Sequence, residues 1–440
     1  MKLPARPPAV SLDVFDGSAA KLVEAVGQVN VASDPYLPWD RMRFHTPPDG
    51  LTVQQWWVAT VIQRGSQQRS LPLTDADGKP FGYALPDSVL KLVNQVSGRA
   101  GGNIGMAEPV TNPATRDTYV VRSLMEESIT SSQLEGAATT RRVAKELLRT
   151  GRAPRDKSEQ MIWNNYQAMR FMVEHQGDRL TPALVRELHS IVTFDTLDNP
   201  EDAGRVQEPQ DDRVHVGTYE GEVLHTPPPA DQLPSRLQAL CDFANATDDE
   251  GPWLHPVLRA IAVHFIVGYD HYFVDGNGRL ARALFYWSML RQGFWLTEFV
   301  TISAILKGAP VKYAHSFLNA EYESDLTHFF VYHLHVLDRA FNDLEAYLDQ
   351  KVRERADVRR LLSVRHQDFN HRQLALIELA LDDASAEFTV VSHANSHHVT
   401  PETARRDLLD LAERGILVRG KRGRAFVWRS APDARQSLGR

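Results

Sequence analysis

The stretch HYFVDGNGRLAR, residues 271–282, places one histidine, one aspartate, one asparagine, two glycines and two arginines between two apolar segments. The preceding segment, 253–270, is apolar on most faces, which predicts a buried helix. The following segment, 279–293, predicts a second helix that ends at Gly293. The loop between them therefore presents free backbone N–H groups at the start of a helix, an arrangement that binds anions.

Four residues of this loop favour a phosphate ligand. Gly276 and Gly278 carry no side chain, so an anion can approach the backbone amides closely. Arg279 and Arg282 are three residues apart and share one face of the second helix, so both guanidinium groups can reach one polyanion. The loop is therefore predicted to hold a polyphosphate.

Two further residues supply chemistry beside that anion site. Asp275 suits Mg²⁺, which proteins usually hold with one or two carboxylates plus the phosphates of a substrate. His271 has an imidazole that titrates near neutrality and can take a proton from an attacking hydroxyl. The combination predicts phosphoryl or nucleotidyl transfer from a magnesium-bound nucleotide.

Three other interpretations of the stretch are weaker. A Gly-x-Gly-x-x-Ala pattern over 276–281 fits a dinucleotide-binding loop, but such a loop follows a strand, and residues 254–270 are too long and too helical for one. A zinc site of His255, His264 and His271 is disfavoured, because the last two are seven residues apart, about 10 Å along a helix. His264 is better explained as a core histidine. A purely structural helix–turn–helix would not need the histidine, the aspartate and the paired arginines.

The stretch resembles the core motif of the Fic family, H-x-F-x-(D/E)-G-N-G-R-x-x-R. The matching residues are His271, Phe273, Asp275, Gly276, Asn277, Gly278, Arg279 and Arg282. Tyr272 departs from the proline that the family usually has there, without removing a chemical group. The resemblance extends over about residues 115–350 and implies a mainly α fold. It consists of an all-helical Fic core with a small β-hairpin flap, which the Gly-containing segment 213–229 matches.

This resemblance implies AMP transfer from ATP–Mg²⁺ to a hydroxyl side chain of a protein target (AMPylation), with the enzyme itself among the candidate targets. By position, His271 would be the general base, Asp275 the magnesium ligand and Phe273 a core anchor for the loop. The ATP phosphates would contact Gly276, Asn277, Gly278, Arg279 and, at the γ-phosphate, Arg282. Removal of AMP, rather than its addition, stays open as an activity of the same site.

A second motif, SSQLEG at residues 131–136, closes a predicted helix at about 116–136. Taken alone, Glu135 is a solvated residue before a glycine C-cap, although a carboxylate is unfavourable at a helix C-terminus unless a cation such as arginine neutralises it. The segment resembles the Fic inhibitory pattern (S/T)-x-x-x-E-(G/N) through Ser131, Glu135 and Gly136. The resemblance implies that Glu135 pairs with Arg282, competes with the γ-phosphate and makes the enzyme autoinhibited.

Residues 365–440 predict a C-terminal winged helix-turn-helix domain, in which two strands at 416–428 follow a well-capped helix at 400–415. Residues 415–429 include five basic residues and no acidic ones, and Arg405 and Arg406 lie early in the preceding helix. This pattern favours DNA contact through residues 400–429, with protein docking or dimerisation as the other interpretation. A nucleotide-responsive, DNA-binding transcriptional regulator is therefore the alternative function, although pure nucleotide sensing would not need the base.

Composition and length set the outer limits. The 440 residues divide into a helical N-terminal region (1–110), the Fic core (115–350) and the winged-helix domain (365–440), with a predicted linker at 98–114. A net charge of −7 gives no general attraction to nucleic acid. The single cysteine, Cys241, excludes an intrachain disulfide and fits a cytoplasmic location. The sequence predicts no membrane segment and is compatible with a homodimer.

Overall fold

A computed structural model of the chain describes residues 2–31, 35–102, 113–217, 221, 223–247, 253–364, 368–382, 386–422 and 425–439. The chain divides into two compact units, Met1–Leu344 and Glu345–Arg440, called here the N-terminal and C-terminal units. Most of the predicted linker, residues 103–112, lies outside the described residues. The domain boundaries near 110, 115, 350 and 365 stay predictions.

The N-terminal unit is built mainly of helices, in agreement with the 3.6-residue periodicity of the sequence. They are α1 (Ala19–Gln28), α2 (Trp39–Met42), α3 (Val53–Gln67), α4 (Asp87–Ala100), α5 (Pro113–Leu134), α6 (Arg141–Thr150), α7 (Lys157–Glu174), α8 (Pro182–Thr193), α9 (Leu233–Asn245), α10 (Pro256–Asp270), α11 (Asn277–Arg291), α12 (Ile302–Gly308), α13 (Pro310–Glu323) and α14 (Thr327–Val364), whose residues after Leu344 belong to the C-terminal unit.

Helices α10 and α11 form the centre of the N-terminal unit. Nearly every residue of both helices is buried, including Phe265, Leu284 and Trp287. This explains why their sequences are apolar on all faces rather than along one stripe. Because both helices are packed on all sides, the loop between them has a fixed position, and it holds residues 271–276.

The N-terminal region contains a hairpin that the prediction of a helical region misses. Strands β1 (Arg69–Thr74) and β2 (Pro80–Tyr83) pair antiparallel. The Leu326 amide donates to the Gly82 carbonyl (2.8 Å), which ties the hairpin to the start of α14. The hairpin has few alternating residues, so its stability depends on this packing rather than on a strong local pattern.

The second hairpin is the predicted flap. Strands β3 (Val216–Gly217) and β4 (Val223–His225) pair antiparallel within residues 213–229. Residues 218–220 and 222, at its turn, lie outside the described residues. The strands are short. His225 anchors the end of β4, because its Nε2 lies within hydrogen-bond distance (2.7 Å) of the Tyr269 carbonyl.

After the end of α14, the described residues of the C-terminal unit form three helices, a hairpin and a last short helix. They are α15 (His371–Asp382), α16 (Val390–His397), α17 (Pro401–Glu413), β5 (Leu417–Arg422), β6 (Ala425–Ser430) and α18 (Ala434–Gly439). Ile377, Leu408, Leu411 and Trp428 are buried in its core. The predicted strand at 387–390 is reduced to one bridge between Phe388 and Trp428, because the Thr389 hydroxyl caps α16 instead. Helix α18 was not predicted.

Among the described helices, none has the length and apolar character that crossing a bilayer requires.

Candidate active site

The loop between α10 and α11 is shaped by two residues with left-handed backbone. His271 ends α10 with φ 48° and ψ 59°, and its amide donates to the Val267 carbonyl at 3.2 Å. Gly276 precedes α11 with φ 85°. A Cβ atom at Gly276 would lie 2.7 Å from Cγ2 of Thr193, so both the conformation and the space require glycine.

The Asn277 side chain closes the loop from within. Its Nδ2 donates to the Phe273 carbonyl (2.7 Å), and its Oδ1 accepts from the Phe273 amide (3.1 Å). The side chain is 2% exposed, and both of its polar atoms bond to the Phe273 backbone. The phosphate contact of Asn277 stays a prediction, and its backbone N–H lies in the first turn of α11, where helix amides have no intrahelical partner.

His189 of α8 supports the loop and was not identified in the sequence. Its ring stacks on Phe273, with centroids 3.7 Å apart and planes 7° apart. The Gly204 amide donates to Nδ1 (2.9 Å), so Nε2 carries the proton and donates to the Asp275 carbonyl (2.7 Å). Burial lowers the pKa of His189 to about 4, which keeps the ring neutral. Only the apolar face of α8 could have indicated a buried histidine there.

Arg213 is a second supporting residue that the sequence did not reveal. Its guanidinium donates to the carbonyls of Asp270 (2.5 Å), His271 (2.8 Å) and Pro228 (2.9 Å). Burial lowers the pKa of Arg213 to about 10, so the side chain stays charged at neutral pH. This one side chain joins the segment of the flap to the last turn of α10.

Tyr272, the departure from the motif, has a structural function. Its hydroxyl donates to Oδ2 of Asp270 (2.6 Å), and Arg236 donates to Oδ1 from Nε (2.8 Å). Both Asp270 and Tyr272 are buried. Burial raises the pKa of Asp270, and the neighbouring arginine opposes that rise. The tyrosine therefore supplies a donor that a proline could not, on a carboxyl group with no access to water.

His271 is held in one tautomer. Its Nδ1 lies 2.8 Å from the Gly268 carbonyl, so Nδ1 carries the proton and Nε2 has a free lone pair. Burial lowers the pKa of His271 to about 4. At neutral pH the ring is therefore unprotonated at Nε2, as a general base requires.

Arg279 and Asp275 lie together at the start of α11. Nη1 of Arg279 donates to the Val192 carbonyl (3.0 Å), and Nη2 lies 3.7 Å from Oδ2 of Asp275. The arginine side chain is 1% exposed, whereas the Asp275 side chain is 59% exposed. Oδ1 of Asp275 accepts the Gly276 amide (2.5 Å), which fixes the carboxylate with one oxygen toward solvent.

Arg282 brings the two sequence motifs together. Its Nε donates to Oγ of Ser131 (2.8 Å), and its Nη2 donates to Oε1 of Glu135 (2.8 Å). A methyl group on Gly278 would overlap the Glu135 carboxylate, so that carboxylate lies directly against the first turn of α11. Gly136, two residues after the end of α5, has a left-handed backbone with φ 96°, as glycines that follow a helix often do. The carboxylate thus occupies a position that suits an anion.

A cavity of ≈ 300 Å³ opens in front of these groups. One part is lined by loop residues and Glu135, and the rest by the flap and α13. The lining residues that matter for its chemistry are Glu135, His225, His271, Asp275, Gly276, Asn277, Gly278, Tyr313, Phe317 and Glu321. Burial raises the pKa of the Tyr313 hydroxyl, and the nearby charges of Arg282 and Glu135 act on it in opposite directions. The lining thus combines these polar groups with apolar side chains such as Val216, Leu224 and Phe317.

The other histidines considered for zinc have separate protein partners. His264 is fully buried with Nε2 2.8 Å from the Tyr313 hydroxyl, and His255 accepts the Val257 amide. In the described residues, Glu323, Asp325 and His328 place ligand atoms within 4.8 Å of one another. Both carboxylates already have protein partners, because Arg64 lies 3.5 Å from Glu323 and Tyr36 donates to Asp325 at 2.5 Å. It connects the N-terminal region to the start of α14.

The chain is similar to known proteins over this site. Residues 179–289 match the model of the Fic/DOC family. This segment contains α8, the flap, α10 and the loop at 271–276. Residues 179–289 form a Fic domain. The inhibitory segment with Ser131 and Glu135 lies outside the matched range, in α5 and just after it.

The Fic domain has curated relatives that are protein adenylyltransferases by name. Protein adenylyltransferase fic-1 of Caenorhabditis elegans is 30% identical over 131 residues, 29% of this chain and 23% of the relative. Protein adenylyltransferase Fic of Nematostella vectensis is 39% identical over 70 residues, 16% of each chain. The alignments thus span less than a quarter of the length of these relatives.

A solved structure shares the fold. A Fic family protein from Desulfovibrio desulfuricans G20 superposes with a TM-score of 0.51 and 20% identity, covering 79% of this chain and 96% of that one. The mainly helical fold with few short strands is therefore that of a Fic protein.

Proposed function

We propose that this protein transfers AMP from ATP to a hydroxyl side chain of a protein. The observation that carries the proposal is one cavity lined both by His271, a neutral base, and by the first residues of α11, with two buried arginines paired to the lining carboxylates Asp275 and Glu135. A base is needed only if a hydroxyl is activated, and the helix N-terminus with the arginines suits a polyphosphate. The names of the relatives support the same reaction.

His271 acts on the incoming hydroxyl. Its Nε2 takes the proton while the hydroxyl oxygen bonds to the α-phosphorus of ATP, and the bond from that phosphorus to the bridging oxygen of the β-phosphate breaks. Pyrophosphate leaves and the AMP stays on the target oxygen. The hydrogen bond from Nδ1 to the Gly268 carbonyl keeps the ring in the tautomer that can accept this proton.

The start of α11 holds the phosphates. The backbone amides of Asn277 and Gly278 and the buried charges of Arg279 and Arg282 face the polyanion. Asp275 fits Mg²⁺, since its carboxylate is exposed at the cavity and fixed by the Gly276 amide. When bound there, Mg²⁺ would neutralise phosphate charge during transfer.

Glu135 inhibits the reaction in this proposal. Its carboxylate takes Nη2 of Arg282 and lies against Gly278, where the terminal phosphate of ATP would otherwise bind. ATP that cannot reach Arg282 is held in a pose that does not present its α-phosphorus to His271. Displacement of Glu135 therefore activates the enzyme.

Two labelled forms of ATP test the proposed reaction. The full-length protein is incubated with Mg²⁺, cell lysate and ATP that is radiolabelled at either the α- or the γ-phosphate. Label transferred from the α position alone supports AMP transfer, and label from the γ position alone would show phosphate transfer instead. His271→Ala should abolish labelling while the ATP affinity changes by no more than a few-fold, because the imidazole acts on the hydroxyl. Loss of label from a premodified protein would indicate removal of AMP.

The C-terminal unit is proposed to be a winged helix that binds DNA. Arg405 and Arg406 are exposed on α17, and Arg419 and Lys421 are exposed on β5. In this arrangement α17 would enter the major groove while the hairpin contacts phosphates. This second activity would bring the transferase to DNA, or would make DNA binding respond to the bound nucleotide.

A further inference from the structure

We propose that Arg213 is a positioning residue that fixes the direction of the His271 imidazole and makes that direction depend on the flap. This inference deepens the proposed function and rests on it, because it concerns how the base of that reaction is held. Arg213 belongs to neither sequence motif and is not among the residues that line the cavity. It therefore acts through His271 rather than on a ligand.

The guanidinium of Arg213 holds the peptide groups on both sides of the base. Its Nη2 donates to the Asp270 carbonyl (2.5 Å), and its Nη1 donates to the His271 carbonyl (2.8 Å). The first carbonyl belongs to the peptide plane before the His271 Cα atom, and the second belongs to the plane after it. Because a guanidinium is a rigid planar fork, the two bonds fix both planes and with them the direction of the His271 Cβ atom.

The backbone of His271 needs such support from outside the loop. Its φ of 48° and ψ of 59° lie in the left-handed region, which is uncommon for a residue with a Cβ atom. A glycine would adopt this conformation without strain, but it has no base to offer. Strained backbone of this kind persists where surrounding contacts determine it. Arg213 supplies two of those contacts from a segment about 60 residues earlier in the chain.

The same guanidinium is bonded to the flap segment. Its Nε donates to the Pro228 carbonyl (2.9 Å), and Arg213 and Pro228 lie at opposite ends of that segment. Nη1 also donates to the side chain of Gln207, whose backbone N–H donates to the Tyr272 carbonyl (2.9 Å). A displacement at the root of the flap therefore moves the contacts that hold the base.

The charge of Arg213 also acts on the base. Among the described residues its hydrogen-bond acceptors are all neutral, three carbonyls and one amide oxygen, at the helix end where the dipole favours a cation. Burial lowers the pKa of His271 to about 4. The charges of His225 and Arg213 act in the same direction, and the Gly268 carbonyl and Glu135 act in the opposite one. Removing the Arg213 charge should therefore raise the pKa of His271.

Kinetics and the titration of His271 together test the proposal. Full-length Arg213→Met, Arg213→Lys and Arg205→Met are prepared in a Glu135→Gly background, which removes the proposed inhibition. Transfer from α-labelled ATP gives kcat and the KM for ATP. Nuclear magnetic resonance of ¹³C-labelled histidine gives the pKa of His271, whose signal is assigned by its loss in His271→Gln. Circular dichroism checks folding.

The three variants have different expected results. Arg213→Met should lower kcat about 10- to 100-fold, leave the KM for ATP within two-fold and raise the pKa of His271. Arg213→Lys should keep the pKa of the parent but recover only part of kcat, because an ammonium group has the charge without the planar fork. Arg205→Met is the matched control, since Arg205 lies in the same segment but pairs with Asp202 and Asp211 (2.6 Å each). It should behave as the parent.

A kcat of Arg213→Met within two-fold of the parent would overturn the inference. So would a loss of kcat that Arg205→Met shares while the pKa of His271 is unchanged, because Arg213 would then have only a general structural role. If Arg213→Met does not fold, Arg213→Lys decides, and a full kcat there contradicts the inference. Absence of transfer in the parent would contradict the proposed function instead. The titration still tests Arg213 in that case, since a raised pKa of His271 supports its control of the ring and an unchanged one refutes it.

Discussion

In the proposed reaction, His271 sets the acid limit. Burial lowers its pKa from 6.5 to about 4, so the ring is neutral above that pH and loses its base function as the pH falls through about 4. We expect kcat/KM for AMP transfer to stay level from pH 7 to about 5 and to fall below that range. Initial rates from pH 3.5 to 8, with circular dichroism as the check on folding, measure this. A half-loss of kcat/KM near pH 6.5 would show that the ring is solvated and not buried.

Tyr272 has a measurable effect on stability because Asp270 is buried. Tyr272→Phe removes the hydroxyl that donates to Oδ2 of Asp270 and leaves a buried carboxyl oxygen without a donor. We expect the free energy of unfolding to fall by about 1–3 kcal/mol. Thermal unfolding measures the change against Tyr166→Phe, whose hydroxyl makes no hydrogen bond to the described residues. Equal effects of the two variants would mean that the bond to Asp270 contributes nothing.

At the residue scale, the sequence predicted which residues meet but not how each is used. Glu135 was expected to pair with Arg282, and the structure brings the side chains of both Glu135 and Ser131 into contact with it. Asn277 was expected to contact phosphate, which stays a prediction, and its side chain also closes the loop through Phe273. A motif records which residue types are required, and it does not say which atoms of those residues bind the ligand.

At the element scale, α11 requires a bare backbone at its start. In a Glu135→Gly background, Gly278→Ala adds a methyl group where a phosphate approaches the amides, without the clash with Glu135. We expect AMP transfer to fall about 10- to 100-fold, as for the loss of one charge-assisted contact. Gly27→Ala in the same background, at a position with open space around it, is the matched control. Unchanged labelling by the Gly278 variant would place the phosphates elsewhere.

Elements with strong periodicity or capping signals were predictable, and those held by distant contacts were not. The ends of α10, α11 and α17 follow from apolar runs, glycines and a Thr-Pro cap. The β1–β2 hairpin depends on backbone bonds to the start of α14, far along the chain. His189 and Arg213 act on the loop from separate segments, so no local pattern announces them.

At the scale of the whole molecule, DNA binding by the full-length protein should depend steeply on salt. If Arg419 and Lys421 of β5 contact phosphates, replacing both by alanine should reduce the slope of log K against log salt by about 2. Fluorescence anisotropy with duplex DNA at several salt concentrations measures the slope. Arg170→Ala, exposed in the N-terminal unit, is the control. Without DNA binding at ~50 mM salt, a protein partner becomes the better assignment for this unit.

Labelling with α-labelled ATP by the wild type, Glu135→Gly and the double variant Glu135→Gly/Arg282→Ala tests the central claim most directly. Removing the carboxylate frees Nη2 of Arg282 for the γ-phosphate, and one charge-assisted hydrogen bond corresponds to a gain of about 10- to 100-fold. The gain should appear first as automodification, because the enzyme's own hydroxyls are present at high effective concentration. The double variant should return to the wild-type level or below. If Glu135→Gly labels neither itself nor a lysate protein more than the wild type, the carboxylate does not control the reaction and the account is contradicted.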